Sequence, residues 1–134
     1  MTADTSPRWL LTVHDEAAAE VVSLKNGSGC EYMDARNVLL ALAKETDPRR
    51  PANPHLNVCS IEYDAPGWYR VKTWRYNMRI VFRLLVRRGR KIIELHSSDS
   101  LEADIDEFAI QVTRVAYRSC VYGWPLKVRR RKIH

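Results

Sequence analysis

From Gly67 to Ser97 the chain reads GWYRVKTWRYNMRIVFRLLVRRGRKIIELHS, with no acidic residue between Asp64 and Glu94. Successive side chains on a strand point to opposite faces. Aliphatic and basic residues alternating in this way therefore build a sheet with one oily face and one cationic face. Arg70, Lys72, Arg75, Arg79, Arg83, Arg87, Arg88, Arg90 and Lys91 concentrate nine of the 22 basic residues in this one block.

The register between its first two strands follows from the same alternation. Tyr69, Val71 and Thr73 alternate with Arg70, Lys72 and Trp74, and Met78, Ile80, Phe82, Leu84 and Val86 alternate with Arg79 and Arg83. Residues directly opposite in an antiparallel pair share a face. If paired numbers sum to an even value, Arg70 and Lys72 fall among Ile80 and Phe82, which mixes charge into the core. If they sum to an odd value, Tyr69 and Val71 join Ile80, Phe82 and Leu84, and Arg70 and Lys72 join Arg79 and Arg83. The odd register is the expected one, with a turn at Arg75-Tyr76-Asn77. Arg87-Arg88-Gly89-Arg90 reads as the next turn. In the strand after it Ile93 and Leu95 face inward, and Ile92, Glu94 and His96 face the cationic side.

The rest of the chain supplies elements to cover the oily face. WLLTV from Trp9 is a short strand, and Asp15 is placed to cap a helix carrying Ala17, Val21 and Leu24 at helical spacing. Lys25 to Gly29 is a turn, and a second helix runs from about Glu31 to Lys44. It has Ala35, Val38, Leu39 and Leu42 on one face and Asp34, Arg36 and Asn37 elsewhere. Asp47 to Pro54, with three prolines, is a connector; its Arg49 and Arg50 read as solvated charge or as partner contacts. Asn57 to Tyr63 is an extended edge. Asp99 and Glu102 are spaced as a capping box opening a C-terminal helix. In that helix Ile105, Phe108, Ala109, Val112 and Ala116 form the buried stripe, and Gly123 and Pro125 end it. The expected fold is α+β: a small antiparallel sheet in the order β-α-α-β-β-β-α, with a helical hairpin and a C-terminal helix packed on it. Residues 1–122 form one domain and 123–134 a basic tail.

Composition narrows the partners. The 134 residues suffice for one domain with a hydrophobic core. No apolar run approaches a membrane span, and the first residues lack the basic-then-apolar order of a secretion signal. The expectation is a cytoplasmic protein with no membrane partner. Cys30, Cys59 and Cys120 are odd in number and widely spaced, which argues against a disulfide framework or a zinc site; no metal or cofactor is expected. A net charge of +6 favours polyanions, and its clustering points to nucleic acid over a merely soluble basic protein.

Cations gathered on one face repel one another, so an anionic ligand or nearby acids must offset them. Glu94 and the acids after Asp99 are the local alternative to a phosphate. Metal-free RNA cleavage needs a base for the 2′-hydroxyl, a proton for the leaving oxygen and positive charge on the phosphate in transit. His96 is a candidate acid or base, because imidazole titrates near neutrality. Arg79 offers a planar fork for two phosphate oxygens. Trp74 and Tyr76 are candidates for stacking on bases, with Arg75 and Arg83 as further RNA contacts; packing beside the hairpin is the alternative role for either aromatic.

The order of elements, with WYRVKTWRYNMRIVFRLL and KIIELHS inside it, resembles the RelE/ParE toxin superfamily. Arg70 and Lys72 match the paired basic residues of RelE-type ribonucleases. Arg79, in MRIVF, matches their central catalytic arginine, and His96 sits where many members carry a histidine. Members commonly follow that histidine with an arginine and then a tyrosine. Here Ser97, Ser98 and Asp99 follow, and the next tyrosine is Tyr117. The resemblance implies the toxin of a toxin–antitoxin pair. Its activity would be metal-independent endoribonuclease cleavage of mRNA, free or on the ribosome, through Arg70, Lys72, Arg79 and His96, and a cognate protein antitoxin would block it. ParE-like members instead inhibit DNA gyrase, and a third possibility is a RelE-fold protein that binds nucleic acid or a partner without catalysis.

Overall fold

The computed structural model describes residues 8–27, 29–61, 67–101 and 104–117. Strand β1 (Leu10–Val13) leads into helices α1 (Asp15–Asn26) and α2 (Gly29–Ala43). Strands β2 (Val58–Ser60), β3 (Trp68–Lys72), β4 (Met78–Arg88), β5 (Lys91–Glu94) and β6 (Glu107–Tyr117) follow. The protein is thus mixed α+β; its described residues form two helices and a six-stranded sheet in the order β1-β6-β4-β3-β2, with β5 pairing β4 off this path. β6 flanks one side of β4 from Met78 to Arg87. β3 and β5 share the other side, β3 opposite Arg79–Arg83 and β5 opposite Leu85–Arg88. β1 pairs with β6 in parallel, which makes the sheet mixed rather than purely antiparallel. No described helix is long and apolar enough to cross a membrane.

The odd register holds: Tyr69 lies opposite Phe82 and Val71 opposite Ile80, while Lys72 lies opposite Arg79. One face of the sheet joins α1 and α2 in a core that includes Tyr69, Val71, Ile80, Phe82 and Leu84, with Trp9, Val38 and Leu42 against it. Tyr69 stacks on Phe82 at 5.7 Å between centroids, and its hydroxyl donates to the Leu95 carbonyl at 2.9 Å. The opposite face is not wholly cationic. Trp68 and Val81 are buried there as a small apolar island with Ile61 and Ala116.

The expected C-terminal helix is a strand between Glu107 and Tyr117; the rest of that reading, residues 118–122 and the stop at Gly123 and Pro125, lies outside the described residues. The misreading has an identifiable cause. Phe108, Ile110 and Val112 alternate onto the core face opposite Val86, Leu84 and Phe82. The pairing then slips between Val81 and Phe82, leaving Thr113 as the extra residue, and Val115 faces Ile80. The interval of four from Phe108 to Val112 is two strand repeats that also fit a helix, and the bulge adds the interval of three from Val112 to Val115. Ala116, expected in the helical stripe, lies instead with Trp68 and Val81 on the opposite face. Thr113 Oγ1 donates to the Val81 carbonyl at 3.0 Å and ties the bulge to β4. The β-branched content of EFAIQVTRVAY was the contrary signal. Asp99, assigned to a helix cap, instead accepts the His96 N–H at 2.8 Å and closes the turn after β5.

Two smaller corrections concern the helices. His14, not Asp15, caps α1, its Nδ1 accepting the Glu16 N–H at 3.3 Å. Asp34, read as lying away from the apolar face of α2, is only 3% exposed. Its Oδ1 accepts the Trp74 N–H at 3.0 Å, and its Oδ2 accepts those of Arg75 at 3.0 Å and Tyr76 at 2.8 Å. One carboxylate thereby caps the β3–β4 turn, in which Asn77 adopts a left-handed φ of 55°.

Candidate functional site

β3 and β4 place Arg70, Lys72, Arg79 and Arg83 on the face opposite the core. Lys72 is directly across from Arg79, Trp68 across from Arg83, and Arg70 across from Val81, diagonal to both arginines. The environments of these cations differ. Arg83 Nε and Nη2 donate to Gln111 Oε1 at 3.1 and 2.6 Å, and Nη1 lies 3.9 Å from Glu94 Oε2. Its guanidinium also stands 5.9 Å from the Trp68 ring centroid. Arg79 is 6% exposed, and its Nη1 donates to the carbonyl and to Oδ1 of Asn77 at 3.0 and 2.9 Å. Arg70 Nη1 is buried and finds no hydrogen-bond partner among the described residues.

Acids neutralise part of the basic block. Arg87, which belongs to β4 with Arg88 rather than to the turn, meets Glu107 at 3.2 Å and Asp106 at 3.8 Å. Arg88 meets Asp104 at 3.4 Å, and Arg114 meets Glu20 at 2.6 Å. The hydrogen bond to Glu107 chiefly raises the already high pKa of Arg87. Arg70, Lys72 and Arg79 have no ion-pair partner among the described residues. On this face the fold thus leaves Arg70, Lys72 and Arg79 without an acid; Arg75, Arg90 and Lys91 also lack one among the described residues, but they are exposed to solvent.

His96 stands at the other end of this face. Leu95 N donates to the Leu84 carbonyl at 2.8 Å, which carries His96 to the level of Arg83. From Arg79 to Arg83 the strand advances about 13 Å, so Arg79 and His96 occupy opposite ends of the face with Arg70 between them. The His96 ring and the Glu94 carboxylate both press on Gly67. A Cβ there would sit 2.6 Å from Glu94 Oε1 and 2.9 Å from His96 Nε2. Glu94 Oε1 is itself buried with no partner among the described residues. Alternation placed Glu94 on this face, but its position beside His96 comes from β5 ending where β3 begins.

Arg49 and Arg50 are fixed rather than freely solvated. Arg49 Nη1 donates to the carbonyls of His96 and Asp99, each at 2.6 Å, and Arg50 Nη2 donates to that of Ser97 at 3.0 Å. Asp47 holds Arg49 through Nε and Nη2, each at 3.0 Å. These bonds clamp the turn that carries His96. Their donors lie 47 to 50 residues away in the chain, so local sequence carries no signal for them. Burial pushes the Asp47 carboxyl up, but the Arg49 hydrogen bonds and the Arg49 and Arg50 charges outweigh it and hold the group below its ordinary value of 3.8. A lowered folded-state value means that Asp47 stabilises the clamp fully above the ordinary carboxylate range. That contribution is lost as pH falls through the lowered value. Acid titration of the native chain should therefore release amide-exchange protection at residues 96–99 below about pH 4. Asp47→Asn should show weak protection there at every pH.

The other sequence-chosen contacts lie at the hairpin end. Trp74, Arg75 and Tyr76 are exposed in the turn held by Asp34. Tyr76 is directed to the start of α2, where hydrogen bonding with the Cys30 thiol chiefly raises its phenol pKa. Trp74 Nε1 donates to the His55 carbonyl at 2.7 Å. Cys30 and Cys59 are free thiols, and Cys120 lies outside the described residues. No group of three or more His, Cys, Asp or Glu side chains among the described residues is placed to hold a metal ion. The chain matches no protein-family model, no curated protein and no solved structure.

Proposed function

We propose that the Arg70–Lys72–Arg79 face binds the phosphate backbone of RNA and that the protein is a RelE-type endoribonuclease toxin of the cytoplasm. Its partners on this reading are mRNA, free or on the ribosome, and a protein antitoxin that covers the basic face. The reading is carried by a contrast among the cations. Arg83, Arg87, Arg88 and Arg114 each have an acid within 4 Å, whereas Arg70, Lys72 and Arg79, unlike the solvent-exposed Arg75, Arg90 and Lys91, are buried or half-buried with none among the described residues. Like charges gathered on one face without acids beside them work against folding, and an RNA phosphate bound across Arg70, Lys72 and Arg79 would offset that repulsion.

In this mechanism the scissile phosphate lies near Arg70, between the two ends of the face. The 2′-oxygen attacks phosphorus as a base takes its proton. The bond to the 5′-oxygen breaks as an acid supplies a proton, leaving a 2′,3′-cyclic phosphate and a 5′-hydroxyl. His96 serves as one proton-transfer group, its ring packed with the Glu94 carboxylate against Gly67. Arg70, Lys72 and Arg79 stabilise the negative charge on the non-bridging phosphoryl oxygens in the transition state.

Incubating the purified chain with single-stranded RNA tests this. The expected products carry a cyclic phosphate, and Arg70→Ala or Lys72→Ala should slow cleavage about 100-fold. The separation of Arg79 from His96 favours a second reading, RNA binding without catalysis. Intact RNA bound by the wild-type chain would establish that reading instead. Inhibition of gyrase supercoiling with RNA untouched would establish the ParE-like one.

A further inference from the structure

Two residues beyond Lys72, the chain leaves the cationic face at Trp74, beside a cleft of about 440 Å³ lined by Asn53, His55 and Trp74. Trp74 is 45% exposed, yet it is not a free rotor. Its backbone N–H is bound by Asp34 at 3.0 Å and its indole Nε1 by the His55 carbonyl at 2.7 Å. The opposing wall is equally organised. His55 N donates to Asn53 Oδ1 at 2.9 Å, Leu56 N donates to the Asn53 carbonyl at 3.1 Å, and Leu56 is buried. The Asn57 carbonyl accepts the Lys72 N–H at 3.3 Å, which fixes this turn alongside the end of β3.

With its one polar atom engaged, the indole offers a ligand only its apolar ring. The Asn53 amide nitrogen and the His55 imidazole supply hydrogen-bonding groups at the wall. A pre-positioned aromatic ring beside a few polar groups selects a flat, heteroatom-edged ligand. Lys72, roughly 7 Å away along the strand, supplies charge for a phosphate attached to that ligand.

We propose that Asn53, His55 and Trp74 form a nucleobase pocket in which a base of single-stranded RNA stacks on Trp74 while its phosphate rests on the Arg70–Lys72 face. The proposal rests on the phosphate-binding reading of that face and adds to it a site that reads the base.

The test uses the full chain and fluorescence anisotropy with two probes. One is a labelled single-stranded RNA hexamer, and the other is an abasic ribose-phosphate oligomer of the same length. The wild-type chain should bind the RNA about tenfold more tightly than the abasic oligomer. Trp74→Ala should remove that preference and leave abasic binding unchanged, and Trp74→Phe, which keeps a ring, should retain most of it. Equal binding of both probes by the wild-type chain overturns the base pocket, as does unchanged RNA binding by Trp74→Ala. If abasic binding then still falls in an Arg70→Ala/Lys72→Ala variant, the phosphate face stands without the pocket. A wild-type chain that binds neither probe overturns both.

Discussion

Asp34→Ala should lower the unfolding free energy by about 3–4 kcal/mol, measured by urea denaturation with the slope unchanged. The side chain is 3% exposed, and its two oxygens accept three backbone N–H groups from Trp74, Arg75 and Tyr76. Hydrogen bonds to a charged acceptor contribute roughly 1.5–3 kcal/mol each. The sum is smaller than three full bonds, because water reaches part of the exposed turn once the carboxylate is gone. Asp34→Asn separates hydrogen bonding from packing. Its one remaining acceptor can serve either the Trp74 position or the Arg75–Tyr76 position, while its NH2 opposes the other, so an intermediate loss is expected. An alanine variant as stable as wild type would show that the turn is held by its own sequence. The turn lies between the two strands of the cationic face and carries Trp74, so on the proposed RNA-binding reading RNA affinity should fall together with stability.

Gly67→Ala is expected to cost about 2–5 kcal/mol, from two separable sources. Gly67 has a φ of 80°, which an L-residue adopts at a cost of roughly 1–2 kcal/mol. The added methyl also meets Glu94 Oε1 at 2.6 Å and His96 Cδ2 at 2.7 Å, and relief of such overpacking typically costs about 1–3 kcal/mol. Gly89 provides the comparison. Its φ is also positive, at 63°, but a Cβ there meets nothing within 4 Å. Gly89→Ala should therefore show the backbone cost alone, about 1–2 kcal/mol, and the difference between the variants measures the crowding. Because His96 and Glu94 must move, the proposed ribonuclease mechanism has Gly67→Ala also reduce RNA cleavage at temperatures where it remains folded, whereas Gly89→Ala should not. Equal stability and activity in the two variants would remove Gly67 from any role in placing His96.

The parts of this fold legible in the sequence are those governed by neighbouring residues. The β3–β4 register follows from alternation, since a slip of one residue would turn Arg70 and Lys72 into the core. Helices α1 and α2 followed from apolar spacing, although the same spacing gave no sign that Asp34 faces inward: an acid is buried only when donors arrive from elsewhere, and those donors are 40 to 42 residues away. The helix expected across β6 failed because an interval of four is both one helical turn and two strand repeats, as from Phe108 to Val112, and the bulge after Val112 adds an interval of three. The long-range partner that resolves this ambiguity is β4, whose side opposite β3 requires a strand to satisfy its backbone donors and acceptors.

The candidate site divides along the same line. Alternation alone puts Arg70, Lys72, Arg79 and Arg83 on one face, because side-chain direction along a strand is set by local backbone geometry. Which of these cations is neutralised was decided only in three dimensions. Glu94 approaches Arg83 because β5 pairs with the far end of β4, and Asp104, Asp106 and Glu107 reach Arg87 and Arg88 where the chain enters β6. Glu20 reaches Arg114 across 94 residues. Arg49 and Arg50 hold the His96 turn from the connector before β2. A charge's sign and face are local properties, but its compensation depends on distance to acids elsewhere in the chain. Tertiary contacts therefore distinguish Arg70, Lys72 and Arg79 from Arg83, which shares their face but has Glu94 beside it.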